Sequence, residues 1–534
     1  MNFSSMRNTL DTLWAEGQAL ETSRDLLGAR QIYERVVALD ASHIAARLRL
    51  SRFAQVSDEY ILARRHVIEA ADAIRSGAST RLVAFVTQRL LDFAEEGEVA
   101  ALVLSLEWAD PEILRQAAPL AQHLWLSGRY EDAMRFLDSV EPRLPPNALL
   151  LLTRANVLRY LGNMQEASRH YHRALEVEPA LVDAHWALAT HERDPAPPLR
   201  LERLRAAARS HTRGSIEAAH LRYAQFRDLD HLDRRAEAWA ALQRGASIMA
   251  SASRHDASRD HQALRRLETL GCQPSQADTG KPTQPTPLFI VGLPRTGTTL
   301  LDRILGNHGW VSSTGERNDF AAAVSEVSDH FFGTLLQEEL PSTFLDIDLK
   351  QVGHLYVQRL RRHASATAYA IDKNPQNLFN LPLIVRALPN AKILILERDP
   401  MDAAFSNLKE LFQGGAYAYS YDFASLAVRT SGAMRLAHDW QKQNPGAIRI
   451  VPYAALVQTP DETIKHLLEF IGLPPADGLT DITSNRSAVT TASSSQVREP
   501  LNTRALGAWR RYASELAPLQ ALLEQERGAN VPRA

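Results

Sequence analysis

The stretch "PLFIVGLPRTGTTLLDRILGNH", residues 287 to 308, sets an apolar run before a glycine turn and an amphipathic run after it. Gly292 and Gly297 admit backbone conformations closed to other residues, so successive amide hydrogens of the turn can point into one concavity. Thr298 and Thr299 then open a helix whose amino terminus adds partial positive charge, and their hydroxyls add donors. Arg295 contributes a fixed cation. The chemistry of such a loop is anion binding. The ATP-binding version carries a lysine directly after its second glycine, to reach the β and γ phosphates; here that position is Thr298. The loop therefore suits a terminal phosphate better than a Mg-bound triphosphate tail.

A second group of residues serves the same purpose. "AKILILERDPMDAAFSNLK" puts Arg398 at the end of an apolar strand and Ser406 about two helical turns on, so that guanidinium and hydroxyl either converge on one phosphate or are a helix-capping arginine and a surface serine. "AIDKNPQNL" places Lys373 after a strand, and "IVPYAALVQTP" places Tyr453 at another strand end, where it either lines a pocket or packs in the core. "SSSQVREPLNTRALGAW" offers Ser493, Gln496 and Asn502 in a late loop, and "GNHGW" offers His308 as a base or a helix-terminus contact.

"GLPRTGTTLL" resembles the 5′-phosphosulfate loop of sulfotransferases, and the Arg398–Ser406 segment resembles their 3′-phosphate element. Together with the Lys373, Tyr453 and late-loop segments, the resemblance is to tyrosylprotein sulfotransferases and their bacterial relatives, collinear over most of 287 to 512. It implies 3′-phosphoadenosine 5′-phosphosulfate as co-substrate, with no metal. The implied donor site is Arg295, Thr296, Gly297, Thr298, Thr299, Arg398, Ser406, Tyr453, Ser493, Gln496 and Asn502, the serine-glutamine loop closing over the nucleotide. Lys373 and Arg295 are implied to stabilise the leaving group and Glu316 to take the acceptor's proton. At that last point the resemblance departs. The animal enzymes read glycine-glutamate-glutamate, with the second glutamate as base, where this chain reads "TGERN", so Glu316 is either the base or a structural carboxylate. Peptide tyrosine is the implied acceptor, although carbohydrate, phenolic or lipid hydroxyls would use the same donor machinery. The competing readings are a P-loop kinase or NTPase, with "ILILERD" as the metal-binding strand, and a repeat scaffold with an inactive enzyme domain.

These residues need a scaffold that brings strand ends together. "PLFIVGL", "ATAYAID", "AKILILERD" and "AIRIVPYA" alternate with segments of helical spacing, which predicts an α/β P-loop-like domain with a mostly parallel sheet and ligands at the carboxyl ends of its strands. The first half instead repeats itself. "LGNMQEASRHYHRALEVEP" sets Gly162, Ala167, Tyr171, Ala174 and Pro179 in the frame of a two-helix unit of about 34 residues. Gly128, Ala133 and Pro145 mark another copy, and Ala29 with Tyr33 and Ala63 with Ala70 mark weaker ones. The pattern resembles tetratricopeptide repeats, an α-helical solenoid with a concave binding face. Polar, proline-bearing "CQPSQADTGKPTQPTP" cannot pack as a core element. The expected domains are a repeat domain over 1–270, a linker over 271–286 and a sulfotransferase domain over 287–534.

Composition sets the remaining bounds. In 534 residues, 60 lysines and arginines stand against 62 acids, so no overall cationic field draws the chain to nucleic acid or membrane, and phosphate binding has to be local. Cys272 is the single cysteine, which excludes an internal disulfide or a thiolate metal cluster. A polar amino terminus and the lack of an apolar run of about 18 residues predict a cytoplasmic protein. The expected partner is a protein or peptide acceptor held by the repeats.

Overall fold

The structure is a computed structural model that describes residues 3–192, 197–253, 255–273, 284–336, 344, 346–412, 414–485, 487 and 498–528. The chain forms two compact units: Met1–Val157 with Asn318–Gly333, and Leu158–Arg317 with Thr334–Ala534.

In the first unit the helices Phe3–Thr22, Leu26–Leu39, Ile44–Val56 and Tyr60–Arg75 pack in consecutive pairs. The second of these starts at Asp25, whose carboxylate accepts from the Gly28 amide at 2.9 Å and so satisfies one of the helix's orphan donors. Ala29 and Tyr33 are fully buried, and the tyrosine ring fills the gap between Trp14 (5.2 Å) and Phe53 (6.0 Å). Ala63, Ala70 and Ala133 are equally buried, and Gly128 takes the left-handed conformation (φ 76°) after the helix Ala117–Leu126. The small and aromatic positions of the repeat frame thus do the packing that their sizes suggest. The segment 318–333, far downstream, also belongs here. Phe331 meets Tyr60 edge-on at 5.1 Å, and the Ile61 amide donates to Asp329 at 2.7 Å.

The second unit begins with the best repeat copy. Gly162 (φ 90°) turns the chain, the side chain of Asn163 caps Met164–Val177, and Ala167, Tyr171 and Ala174 are buried. Helices Ile216–His231 and Arg235–Ser253 then bury Leu221, Phe226 and Leu242 in one core with Phe405, Tyr512 and Leu516. The expected boundary at 271–286 therefore marks where helices give way to strand alternation, while packing joins the helices after Leu158 to the sheet-bearing segment. Residues 274–283 of that linker lie outside the described residues.

Among the described residues the sheet has five parallel strands, β1 (Thr286–Gly292), β2 (Val311–Ser313), β3 (Tyr369–Asp372), β4 (Lys392–Glu397) and β5 (Ile448–Pro452), in the order β2-β3-β1-β4-β5. Every residue of β1 after Thr286 is buried, as an apolar run covered on both faces requires. The order reverses direction at β1, and the crevice outside its carboxyl end is where such sheets take ligands. Four strands fall where the sequence places them. The three-residue β2 is too short to carry a periodic signal. Among the described residues no helix is long and apolar enough to cross a membrane.

Cys272 follows the helix Ala257–Leu270, fully buried, with its amide donating to Gln443 Oε1 at 2.7 Å. Burial pushes its thiol up to about 12. Because the thiolate is the reactive form, Cys272 is expected to resist a thiol reagent at mildly alkaline pH in the native chain and to react fully after denaturation. A rapid stoichiometric reaction of the native chain contradicts this.

Candidate functional site

Between β1 and the helix Thr298–Leu305 the backbone takes positive φ at Gly292 (146°), Arg295 (67°) and Gly297 (108°). A Cβ on Gly292 would lie 2.7 Å from the Leu396 carbonyl oxygen of β4, and one on Gly297 would lie 2.6 Å from the Tyr453 ring. Neither position has room for a side chain. The loop's carbonyls are tied away: Thr296 Oγ1 donates to Leu293 O at 2.7 Å, Asn407 Nδ2 to Pro294 O at 2.8 Å and Arg398 Nη1 to Arg295 O at 3.0 Å. Gly297, at the N-cap, has no side chain to accept from the first-turn amides, so that role is open to a ligand anion. Thr296, Thr298 and Thr299 are buried around this turn.

Arg398 leaves the end of β4, adjacent to β1, which is why it reaches the loop. Its other terminal nitrogen donates to Ala505 O, its guanidinium carbon stands 4.9 Å from the Tyr453 ring centroid, and its Nε is buried without a hydrogen-bond partner among the described residues. That orphaned donor beside an anion loop fits a phosphate oxygen. Tyr453 opens the helix after β5 as a half-buried platform, its hydroxyl pushed up by burial against the opposing pull of Arg398 and Arg295. The Tyr453 ring packs against the loop at Gly297. Ser406 is buried in the helix Pro400–Leu408. Asn502 hydrogen-bonds within its own turn, to Pro500 O and from Arg504, and Ser493 and Gln496 lie outside the described residues.

On the other flank, the turn after β2 continues the pairing with β3: the Thr314 amide donates to Ile371 O (2.9 Å) and the Lys373 amide to Gly315 O (3.0 Å). This zip brings Glu316 and Lys373 into a direct ion pair. The lysine side chain is 2% exposed and the glutamate side chain 39%, so the cation faces inward and the carboxylate outward. Lys373 also acts on Asp302, on the helix that follows the loop, whose buried carboxyl is raised by burial against the pull of the lysine. His308 resolves differently. Its Nδ1 accepts from the Trp310 amide (3.1 Å), which leaves the Nε2 hydrogen for Pro474 O (3.0 Å). With both ring nitrogens engaged by backbone, it is a helix-terminus contact, not a base.

Three residues next to the loop carry no local sequence signal. Glu410, 4% exposed at its side chain, holds Arg227 at 3.0 Å and has Arg295 at 3.7 Å. Lys409 beside it is drawn down to about 7 by burial and by Arg227 and Arg295. Burial also lowers Arg295, with Glu410 opposing and Arg227 and Arg398 adding to the fall.

Residues 287–477 match the model of the sulfotransferase family. An uncharacterized protein of Aquifex aeolicus is 31% identical over 246 residues, 45% of this chain and 32% of its own. The protein-tyrosine sulfotransferase of Drosophila melanogaster is 23% identical over 46% of this chain and 52% of its own, and protein-tyrosine sulfotransferase 1 of Danio rerio is 22% identical over 46% and 74%. The chain thus spans about a third of the Aquifex relative and about half of the Drosophila one. Among solved structures, the sulfotransferase domain of the Synechococcus PCC 7002 olefin synthase aligns over 47% of this chain and 98% of its own, at 20% identity and a TM-score of 0.33. Residues 287–477, which hold the sheet, the anion loop and the Glu316–Lys373 pair, match the sulfotransferase family.

Proposed function

We propose that this chain transfers a sulfuryl group from 3′-phosphoadenosine 5′-phosphosulfate to a hydroxyl acceptor, with protein or peptide tyrosine as the acceptor class. The observation that carries this reading is a lysine-free anion cradle with Arg398 locked to its backbone and a Glu316–Lys373 pair on its flank. The donor supplies an activated sulfuryl group on a phosphate leaving group, and the chain's residues do the rest. Gly292 to Thr299 hold the 5′ end, while Arg398 and Ser406 hold the remote 3′-phosphate. The acceptor oxygen bonds to sulfur as the bridging oxygen leaves. Glu316 takes the acceptor's proton, and Lys373 with the loop amides meets the electron pair left on the phosphate. The exposure of the pair suits this division, since the lysine is buried near Asp302 of the loop helix and the carboxylate is the more exposed partner. A phenol, with a pKa of about 10, is easier to deprotonate there than an alkyl alcohol. The support for tyrosine is the likeness to protein-tyrosine sulfotransferases at 22% and 23% identity, and the helices of Met1–Val157 are the surface we assign to a protein acceptor. A cytoplasmic setting goes with the single cysteine.

Donor binding separates from chemistry in the variants. Arg398→Ala removes charge-assisted hydrogen bonds and is expected to weaken calorimetric binding of adenosine 3′,5′-bisphosphate, measured without Mg, roughly ten- to a hundredfold. Gly297→Ala, strained at its positive φ and driven into Tyr453, is expected to abolish that binding while the circular dichroism spectrum stays native. Strict dependence on Mg and ATP instead sinks the donor assignment. Lys373→Ala is expected to cost about 10²–10³ in single-turnover rate, by analogy with loss of an oxyanion donor. Glu316→Gln is expected to bind the bisphosphate normally and transfer poorly at every pH, because an amide accepts no proton; transfer at the parent rate removes Glu316 as the base. For the acceptor, radiolabelled donor and purified chain added to cell extract are expected to label protein at tyrosine. Label confined to small molecules overturns that assignment.

A further inference from the structure

Within the second unit, the helix Ile216–His231 carries Arg227, whose guanidinium stacks 5.4 Å from the Trp186 ring centroid. Its Nη2 donates to Lys409 O at 3.1 Å and to Glu410 Oε2 at 3.0 Å. The same carboxylate oxygen lies 3.7 Å from Arg295 Nε, an ion-pair distance rather than a hydrogen bond. One buried carboxylate therefore stands between a guanidinium of the helical segment and the guanidinium of the anion loop. Its placement is fixed from below: the Glu410 amide donates to Asn407 O at 3.0 Å, and Asn407 Nδ2 holds Pro294 O of the loop at 2.8 Å.

The guanidinium groups of Arg295 (side chain 8% exposed) and Arg227 (18%) lie on one side of the loop and repel one another, the more so as water is partly excluded there. Arg295 also sits at a left-handed φ that a side-chain-bearing residue takes only when its surroundings hold it there. We propose that Arg227 and Glu410 are positioning residues for Arg295: Glu410 screens the two arginines from each other and fixes the loop guanidinium, and Arg227, braced on Trp186, fixes Glu410. The helices after Leu158, read from sequence as part of a recruitment domain, then complete the anion site. A carboxylate cannot bind the donor's phosphate itself, so the role of Glu410 runs through Arg295. The inference rests on the reading of the loop as a donor-phosphate site.

The test is a double-mutant cycle in the full chain, read as calorimetric affinity for adenosine 3′,5′-bisphosphate at a temperature where each variant is folded by circular dichroism. Glu410→Gln is expected to weaken binding about tenfold. In an Arg295→Ala background the same change is expected to add less than twofold, because the residue it positions is gone. Losses that multiply, or a Glu410→Gln variant that binds as tightly as the parent or more tightly, overturn the proposal, as a merely structural role predicts independent losses. If Glu410→Gln does not fold, Arg227→Met, which keeps the aliphatic stem on Trp186 and removes the charge, carries the same cycle with the same expected pattern. A parent chain that does not bind the bisphosphate sinks the donor reading and this inference with it. A parent that binds it, with additive losses, sinks this inference alone.

Discussion

The site depends on a turn with no room for side chains. At Gly292 the parallel register sets Leu396 directly alongside, and its carbonyl would meet any Cβ at 2.7 Å. At Gly297 the obstacle is the Tyr453 ring. Between them Arg295 accepts a left-handed conformation that costs on the order of 1–3 kcal/mol. What offsets this cost is the set of side chains that take the loop's carbonyls, from Thr296, Asn407 and Arg398. Once those carbonyls are tied back, the amide side of the turn and the first turn of the following helix are left for an anion. The position after Gly297 belongs to the same packing: Thr298 is buried there, and Arg398 from the neighbouring strand holds the Arg295 carbonyl.

That placement of Arg398 is a property of the sheet. Arg295, Glu316, Lys373, Arg398 and Tyr453 are spread over more than a hundred residues of chain, yet each follows the carboxyl end of a strand, and all five strands run the same way. The two neighbours of β1 supply the two flanks: β4 brings the arginine that locks the loop, and β3 brings the lysine. A reversal of any one strand would carry its residue to the far edge. The Glu316–Lys373 pair needs more than direction. It needs the short zip of Thr314 and Gly315 along β3, which sets the outward carboxylate over the inward cation.

What was legible in the sequence divides by range. β1, β3, β4 and β5 announce themselves because a strand buried on both faces is a continuous apolar run, and the loop announces itself because glycine, arginine and threonine act there through adjacent backbone. The repeat frame was legible for a similar reason, in that Ala29, Tyr33, Ala167 and Tyr171 pack against near neighbours in sequence. Three-residue β2 was not, nor was the membership of 318–333 in the first unit, where the partners Tyr60 and Ile61 lie more than 250 residues away. His308 is ambiguous in sequence between base and terminus contact because its two backbone partners, Trp310 N and Pro474 O, include one 166 residues away. Glu410 is the clearest case. In sequence it is one acid of a lysine-glutamate pair at a helix end, the commonest kind of surface residue, and nothing local hints that Arg227, 183 positions upstream, buries it.

The same pair explains why packing and texture divide the chain at different places. A helix whose apolar face only covered the sheet-bearing segment could be exchanged for any other of the right size, at the cost of core volume alone. Ile216–His231 does cover it, through Leu221 and Phe226, yet it also carries Arg227 into a region that holds Arg295, Arg398 and Lys409. Adding a fourth cation to three is unfavourable unless a carboxylate comes with it, and Glu410 is that carboxylate. Burial, with Arg227 and Arg295 adding to the fall, draws the Lys409 ammonium down to about 7. The helical segment is thereby tied to the sheet by charge as well as by apolar contact, and the change of texture at 271–286 marks a change of secondary structure within one electrostatic unit.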